Sequence, residues 1–276
     1  MRYERIPMSE TDKNVFLEAY ISDSIPDKKR KAILIFPGGG YAMICNDREG
    51  EPIALAFMPY GFNAFVLHYS IGGEDRVYPT QLREVARAIK HIKDNAESYG
   101  IDPEELFTVG FSAGGHLAAS SGVFWKRPEV TKGLDIPYGY NKPKGVMPIY
   151  PVINPEGHRF SFSMLLGTPD STKEELDYVS VDQHVDRDSS PAFIMHTFAD
   201  RDVDVRNTLS LAKGYADAGV PFEMHIYPNG PHGVALANKV TDMGNPAYND
   251  PIIAEWVRLA AAWTDKIDNL EYLERN

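Results

Sequence analysis

The sequence predicts an α/β fold, with a mostly parallel central sheet and helices on both faces. Two observations carry this expectation. Short apolar, β-branched runs alternate with amphipathic stretches along most of the chain, the rhythm of strand–helix–strand units joined by right-handed crossovers. The second is Gly110-Phe111-Ser112-Ala113-Gly114, set between a strand-like run (Glu105 to Val109) and a small-residue run (Gly114 to Ser121) that suits a helix packed closely on a sheet. A G-x-S-x-G stretch between strand and helix puts its serine on a sharp turn, with the hydroxyl projecting from the sheet.

Composition bounds the rest. The 276 residues are 43% hydrophobic and 11% aromatic, ample for a core, and they are read as one domain, 1–276. A net charge of -11 argues against nucleic acid or an anionic membrane surface as partner, since both select basic patches. The basic cluster Lys28-Lys29-Arg30-Lys31, after a Pro-Asp turn, reads as a solvated edge. Cys45 is the single cysteine, so no intrachain disulfide forms, and a packed thiol is the expectation. No apolar run approaches ~18 residues and the N-terminus has no signal-like apolar core, so a cytoplasmic, soluble protein is expected.

Taken in order, Asn14 to Ser22 alternates apolar and polar residues and predicts a half-buried antiparallel strand. Ala32 to Phe36 is a central parallel strand, and the three glycines of Pro37-Gly38-Gly39-Gly40-Tyr41 follow at its carboxyl end, where open α/β sheets place their sites. Glu49 to Met58 is a helix with Pro52 in its first turn and Gly61 beyond its end. Asn63 to Tyr69 is a strand, Ser70 to Tyr78 a loop, and Thr80 to Tyr99 a helix closed by Gly100. Leu106 to Val109 leads into Ser112. Beyond it, Gly145 to Tyr150, Ala192 to Thr197 and Phe222 to Tyr227 are strands, with helices at Arg206 to Ala218 and Pro251 to Ile267. Asn154 to Asp186 breaks the rhythm, being polar and without a clear strand, and is read as an insertion (154–186) draped over the site.

Ser112 needs a base to take its proton, and the base needs a carboxylate. Among eight histidines, His68, His196 and His225 lie in apolar strands and read as hydrogen-bonded core residues, and His91 sits on the polar face of a helix. His158 and His184 fall in the insertion as possible substrate contacts. His116 follows the serine closely but runs away beneath it, and is assigned to packing. His232 lies in Tyr227-Pro228-Asn229-Gly230-Pro231-His232-Gly233, a turn-rich loop just after the last strand, and is chosen as the base. Between serine and histidine in the chain, the loop after Thr197 offers Asp200 first, Asp202 second, and Asp204 third as a cap for the helix that follows. The amide of Ala113 and that of Gly39 or Gly40 are the candidate oxyanion donors. Asp47, Arg48 and Glu49 read as a helix cap or as support behind that loop. No His/Cys/Asp/Glu spacing matches a metal ligand set, and nothing singles out a glycosidase carboxylate pair.

At this point the chain resembles a known family. Pro37-Gly-Gly-Gly-Tyr41, Gly110-Phe-Ser-Ala-Gly-Gly-His-Leu-Ala118, His196-Thr-x-x-Asp200 and Gly230-Pro-His-Gly233 look like motifs of the bacterial acetyl-xylan-esterase-like, or "sugar hydrolase", branch of the α/β-hydrolases. Arg48-Glu-Gly-Glu-Pro52 and Ser190-Pro-Ala-Phe193 extend the likeness over nearly the whole chain. The resemblance implies the α/β-hydrolase fold, Ser112 as nucleophile, Asp200 as acid, His232 as base, an oxyanion loop at Gly39-Gly40, and no cofactor. It implies a serine carboxylic-ester hydrolase for a small-molecule ester, with deacetylation of carbohydrate esters as the leading expectation. An arylformamidase, amidase or small peptidase on the same fold is the second reading, and a binding protein on a retired hydrolase fold the third.

Overall fold

The computed structural model describes residues 1–23, 28–73 and 76–269. Its strands are β1 (Arg2–Pro7), β2 (Phe16–Ile21), β3 (Arg30–Phe36), β4 (Phe62–His68), β5 (Ile101–Phe111), β6 (Gly145–Ile149), β7 (Ala192–Thr197) and β8 (Phe222–Tyr227). They form one eight-stranded sheet in the order β1-β2-β4-β3-β5-β6-β7-β8. Pairing is antiparallel between β1, β2 and β4 and parallel from β4 through β8.

Between the strands lie α1 (Asn46–Glu49), α2 (Glu51–Phe57), α3 (Thr80–Asp94), α4 (Ala96–Tyr99), α5 (Ala113–Val123), α6 (Pro128–Thr131), α7 (Arg159–Leu166), α8 (Lys173–Val179) and α9 (Arg206–Ala218), and α10 (Trp256–Thr264) follows the last of them. They cover both faces, and the strand sequences record it. Ile33 and Ile35 join one apolar cluster with Trp256, while Leu34 and Phe36 join another with Leu117, and none of these four strand residues is accessible to solvent. Period-two alternation sends neighbours to opposite faces, so a strand covered twice must be apolar throughout.

Several boundaries differ from the sequence expectation. β1 has no counterpart there: its alternating charges describe an exposed edge strand, held through its ladder to β2. That ladder makes β2 buried along its whole length instead of half-buried, with Glu18 taken up by Tyr3 (2.8 Å) and His68 (3.1 Å). The helix expected at 49–58 breaks at Gly50, where a Cβ would lie 1.7 Å from Asn46 Oδ1, so that α1 ends and α2 begins afresh. The helix expected at 80–99 breaks at Asn95, whose backbone N–H and side-chain amide both return to the His91 carbonyl. β5 starts at Ile101, ahead of the expected Leu106, because a register shift between Arg30 and Ala32 of β3 absorbs the extra residues. The final helix shortens to α10, preceded by a 3₁₀ turn at Ile253–Glu255 whose approach is capped by Asp250.

The 154–186 segment carries α7, α8 and a 3₁₀ turn, and α8 begins with a reciprocal Thr172–Glu175 capping box. Within the basic cluster, Arg30 and Lys31 open β3, and Lys31 pairs with Asp265 at 2.7 Å. The Pro-Asp turn before the cluster, and residues 74–75 of the predicted 70–78 loop, lie outside the described residues. Among the described residues, no helix is long and apolar enough to cross a membrane.

Candidate active site

Ser112 sits between β5 and α5 at φ 55, ψ -117, a conformation that non-glycine residues rarely occupy. The flanking glycines permit it. A Cβ on Gly110 would lie 1.9 Å from the Gly114 carbonyl oxygen, and one on Gly114 would lie 2.1 Å from that of Phe36. Strand end, elbow and helix start therefore close on each other at van der Waals distance, and the serine side chain is turned out at the carboxyl edge of the sheet.

His232 comes to it from the loop after β8. Its Nε2 lies 2.8 Å from Ser112 Oγ, and its Nδ1 lies 2.7 Å from Asp200 Oδ2. A carboxylate only accepts, so Nδ1 carries the proton and Nε2 is left to accept the serine hydroxyl. Asp200, on the loop after β7, has a wholly buried side chain. Its Oδ1 accepts the amides of Asp202 and Val203, both at 2.9 Å, and its Oδ2 also accepts His196 Nε2 at 3.2 Å. Burial opposes the charge, yet the bonds from His196 and His232 prevail and hold the Asp200 carboxyl well below the usual carboxylate range. His232 responds in kind: burial pulls its pKa down, and the Asp200 bond and charge carry it above the ordinary histidine value.

Of the three aspartates weighed from sequence, only Asp200 reaches the imidazole. Asp202 contributes its amide to Asp200, and Asp204 grips Arg206 and its backbone N–H at the start of α9. Gly39 and Gly40, at φ 126 and 66, form the loop after β3, and their N–H groups bond to no other described residue. Ala113 is the first residue of α5, where amides lack helical partners.

Three supporting residues escaped the sequence reading or exceed it. His196, assigned there to the core, is the second imidazole on Asp200. Because its Nε2 also faces the Val203 carbonyl (3.0 Å), that nitrogen bears the proton, and Nδ1 accepts from Thr208 (2.8 Å). Its signal was the four-residue spacing to Asp200. His116 packs beneath the site, as expected, but does more: Nε2 donates to the Val179 carbonyl and Nδ1 accepts from Tyr41, each at 2.8 Å, so α5 and the 154–186 segment anchor the residue that closes the glycine loop. Burial lowers its pKa to about 4. Tyr150, left-handed at φ 36 just past β6, packs edge-to-face with His232, ring centroids 5.1 Å apart, and had no sequence signal.

In the 154–186 segment, Phe160 lies against the glycine loop, within 3.1 Å of where a Cβ of Gly40 would be. His158 opens α7 and bonds Ser161 at 2.8 Å, while His184 turns away to the Asp177 carbonyl. A cavity of about 280 Å³ opens beside His232, lined by Ala199, Arg201, Asp202, Gly230 and Pro231.

A strained serine elbow on the central parallel strand of such a sheet places the molecule among the α/β hydrolases, and solved structures agree. An acetyl ester-xyloside bifunctional hydrolase from Caldicellulosiruptor lactoaceticus superimposes with a TM-score of 0.81 at 32% identity, over 97% of either chain. The chain belongs to the BD-FAE family, whose sequence model matches residues 17–215. It is 37% identical to endo-1,4-beta-xylanase B of Butyrivibrio fibrisolvens over 80% of its own length. It is 30% identical to an acetylxylan esterase of Xylanibacter ruminicola over 74% of its length. The chain spans only 35% and 41% of those two relatives.

Proposed function

We propose that the protein is a serine carboxylic-ester hydrolase that deacetylates small carbohydrate esters through an acyl-enzyme on Ser112. The observation that carries this is the relay of 2.8 Å from Ser112 Oγ to His232 Nε2 and 2.7 Å from His232 Nδ1 to Asp200. As Ser112 Oγ attacks the ester carbonyl, its proton passes to His232 Nε2, and Asp200 stabilises the imidazolium. The oxyanion that develops is taken by the amides of Ala113 and of Gly39 or Gly40, each such donor contributing on the order of 3 kcal/mol to the transition state. His232 then protonates the departing alcohol, and a water repeats the sequence to release acetate.

The sugar-sized cavity beside His232, with Arg201 and Asp202 as polar walls, supports a carbohydrate as the alcohol half. The relative called an acetylxylan esterase and the neighbour called an acetyl ester-xyloside hydrolase support the same class. On this reading the molecule is one domain, with 154–186 as a cap that sets Phe160 over the glycine loop. A cytoplasmic location is part of the reading, supported by the lone buried thiol of Cys45.

The test is turnover of p-nitrophenyl acetate and release of acetate from acetylated xylo-oligosaccharides by wild type and Ser112→Ala. Loss of both in the variant is expected, and equal rates overturn the assignment. Faster cleavage of arylformamides or peptidyl amides than of esters would replace the substrate class.

A further inference from the structure

Glu49 is a carboxylate with almost no access to solvent, 2% exposed, on a helix of four residues directly behind the glycine loop. Its Oε2 accepts the N–H of Gly38 at 2.8 Å and its Oε1 accepts the hydroxyl of Tyr150 at 2.8 Å. The Tyr150 oxygen in turn accepts the N–H of Ala235 at 3.1 Å, three residues beyond His232. A continuous chain of hydrogen bonds thus runs from Gly38 through Glu49 and Tyr150 to the loop that carries His232. The glycine loop passes between this carboxylate and the serine, since a Cβ on Gly38 would lie 2.8 Å from Glu49 Oε2 and 3.0 Å from Ser112 Cβ.

We infer that Glu49 is a positioning residue that locks the Gly38–Gly40 loop to the His232 loop, keeping oxyanion donors and base in one register. This rests on the roles given to Ser112 and His232 above. The chemistry of the donors suits a carboxylate. The Gly38 amide and the Tyr150 hydroxyl approach different oxygens of Glu49, and a carboxylate presents an acceptor to each, whereas a carboxamide would turn its NH₂ group towards one of the two donors.

The arrangement carries a burial cost that a packing role would not require. Burial pushes the Glu49 carboxyl up, against the bonds from Tyr150 and Gly38. The neighbouring Arg48 favours the ionised form through its charge but makes no hydrogen bond to it, for its guanidinium turns to Cys45 Sγ (3.3 Å), Met243 Sδ (3.7 Å) and Asp47 (3.7 Å). Its other titratable neighbours, Cys45, Tyr69 and Tyr150, are uncharged at neutral pH because burial raises each. Besides Arg48, the cation it meets is His232 when that ring takes a proton. Around His232 stand Asp200 and Asp202 from the loop after β7, Tyr150 from just past β6 and His158 from the start of α7; Glu49 adds a negative charge from behind the glycine loop. It favours the imidazolium as well as holding the loop.

The experiment measures kcat, KM and the pH profile on p-nitrophenyl acetate for wild type, Glu49→Gln, Tyr150→Phe and Ser112→Ala, with thermal unfolding of each. Glu49→Gln is expected to lower kcat about 10- to 100-fold with KM within about 2-fold, the pattern of an interaction made in the transition state. Its acid limb is expected to move to lower pH, because the imidazolium loses a neighbouring anion. Tyr150→Phe, which cuts the same chain one bond further on, should lower kcat by a smaller factor. A folded Glu49→Gln with wild-type kcat and acid limb overturns the inference, and so does a lower kcat with an unmoved limb and reduced thermal stability, which assigns packing alone. If Glu49→Gln does not fold, wild-type kcat in Tyr150→Phe overturns it. An inactive Ser112→Ala beside a wild-type-like Glu49→Gln sinks this inference only, whereas an active Ser112→Ala removes the reading beneath it.

Discussion

His196 Nε2 lies 3.2 Å from Asp200 Oδ2, so the carboxylate that orients one imidazole is itself held by another. With the amides of Asp202 and Val203 on Oδ1, Asp200 accepts bonds on both oxygens and has no freedom to rotate away from His232. The second histidine is fixed by Thr208, so the order extends from α9 through β7 to the loop that carries Asp200.

Replacing His196 tests this support. His196→Leu removes a donor to a buried charge and strands the Thr208 hydroxyl, and is expected to cost about 1–3 kcal/mol of stability. A loss of roughly 10-fold in kcat should accompany it, as the carboxylate gains a second rotamer. Denaturant unfolding and steady-state kinetics read the two effects, and unchanged kcat would count against a role beyond packing.

Asp200→Asn is expected to reduce kcat by about 10⁴, since an amide facing Nδ1 favours the wrong tautomer for accepting the serine proton. Asp202→Asn, which leaves the amide donated to Asp200 intact, should cost no more than about 10-fold. Comparable losses in the two variants would reopen the choice between them.

Under the proposed function, the pH dependence of kcat/KM follows from His232. The base must be neutral to accept the serine proton, and its pKa lies above the ordinary 6.5. Activity should therefore rise with pH through a limb whose midpoint exceeds 6.5, and Asp200→Asn should move that limb downward. A wild-type midpoint below the ordinary value would contradict the paired geometry.

His116 makes a separate prediction about stability. It is buried and neutral, with its pKa depressed from 6.5 to about 4, so between these values the unfolded chain binds a proton that the fold does not. Its contribution is intact above pH 6.5 and is lost as pH falls towards 4, a change on the order of 3 kcal/mol. His116→Gln should flatten the pH dependence of the urea midpoint across that window, and the same slope in both proteins would rule the histidine out as its source.

The parallel strands were legible because burial on both faces makes them continuously apolar, as in Ala32 to Phe36, and because glycines such as Gly61 and Gly219 close the preceding helices in the left-handed conformation. β1 was not, since an edge strand such as Arg2–Pro7 is specified by its partner's ladder and carries no apolar alternation of its own. Ser112, Asp200 and His232 stand on turns with distinctive residue types, and the structure brings the three together. Tyr150 and the pairing of His196 with Asp200 depend on contacts between distant segments that leave no local pattern. Glu49 was one of three charged residues read as a helix cap or as support behind the glycine loop, without a partner that the sequence could name. Nothing in its neighbourhood announced that its carboxylate would turn inward.

The spacing of the Ser112–His232 hydrogen bond along the chain has a consequence for biosynthesis. The two residues are 120 apart, and the histidine follows β8, the last strand in the chain and an edge of the sheet. At ~5–20 residues per second, a ribosome delivers the serine elbow roughly 6 to 24 s before the imidazole that would draw off its proton. Throughout that interval the nascent chain exposes an ordinary alcohol. Under the proposed function, the serine gains its base only once the loop after β8 is in place, so ester cleavage would report a sheet assembled through its last strand.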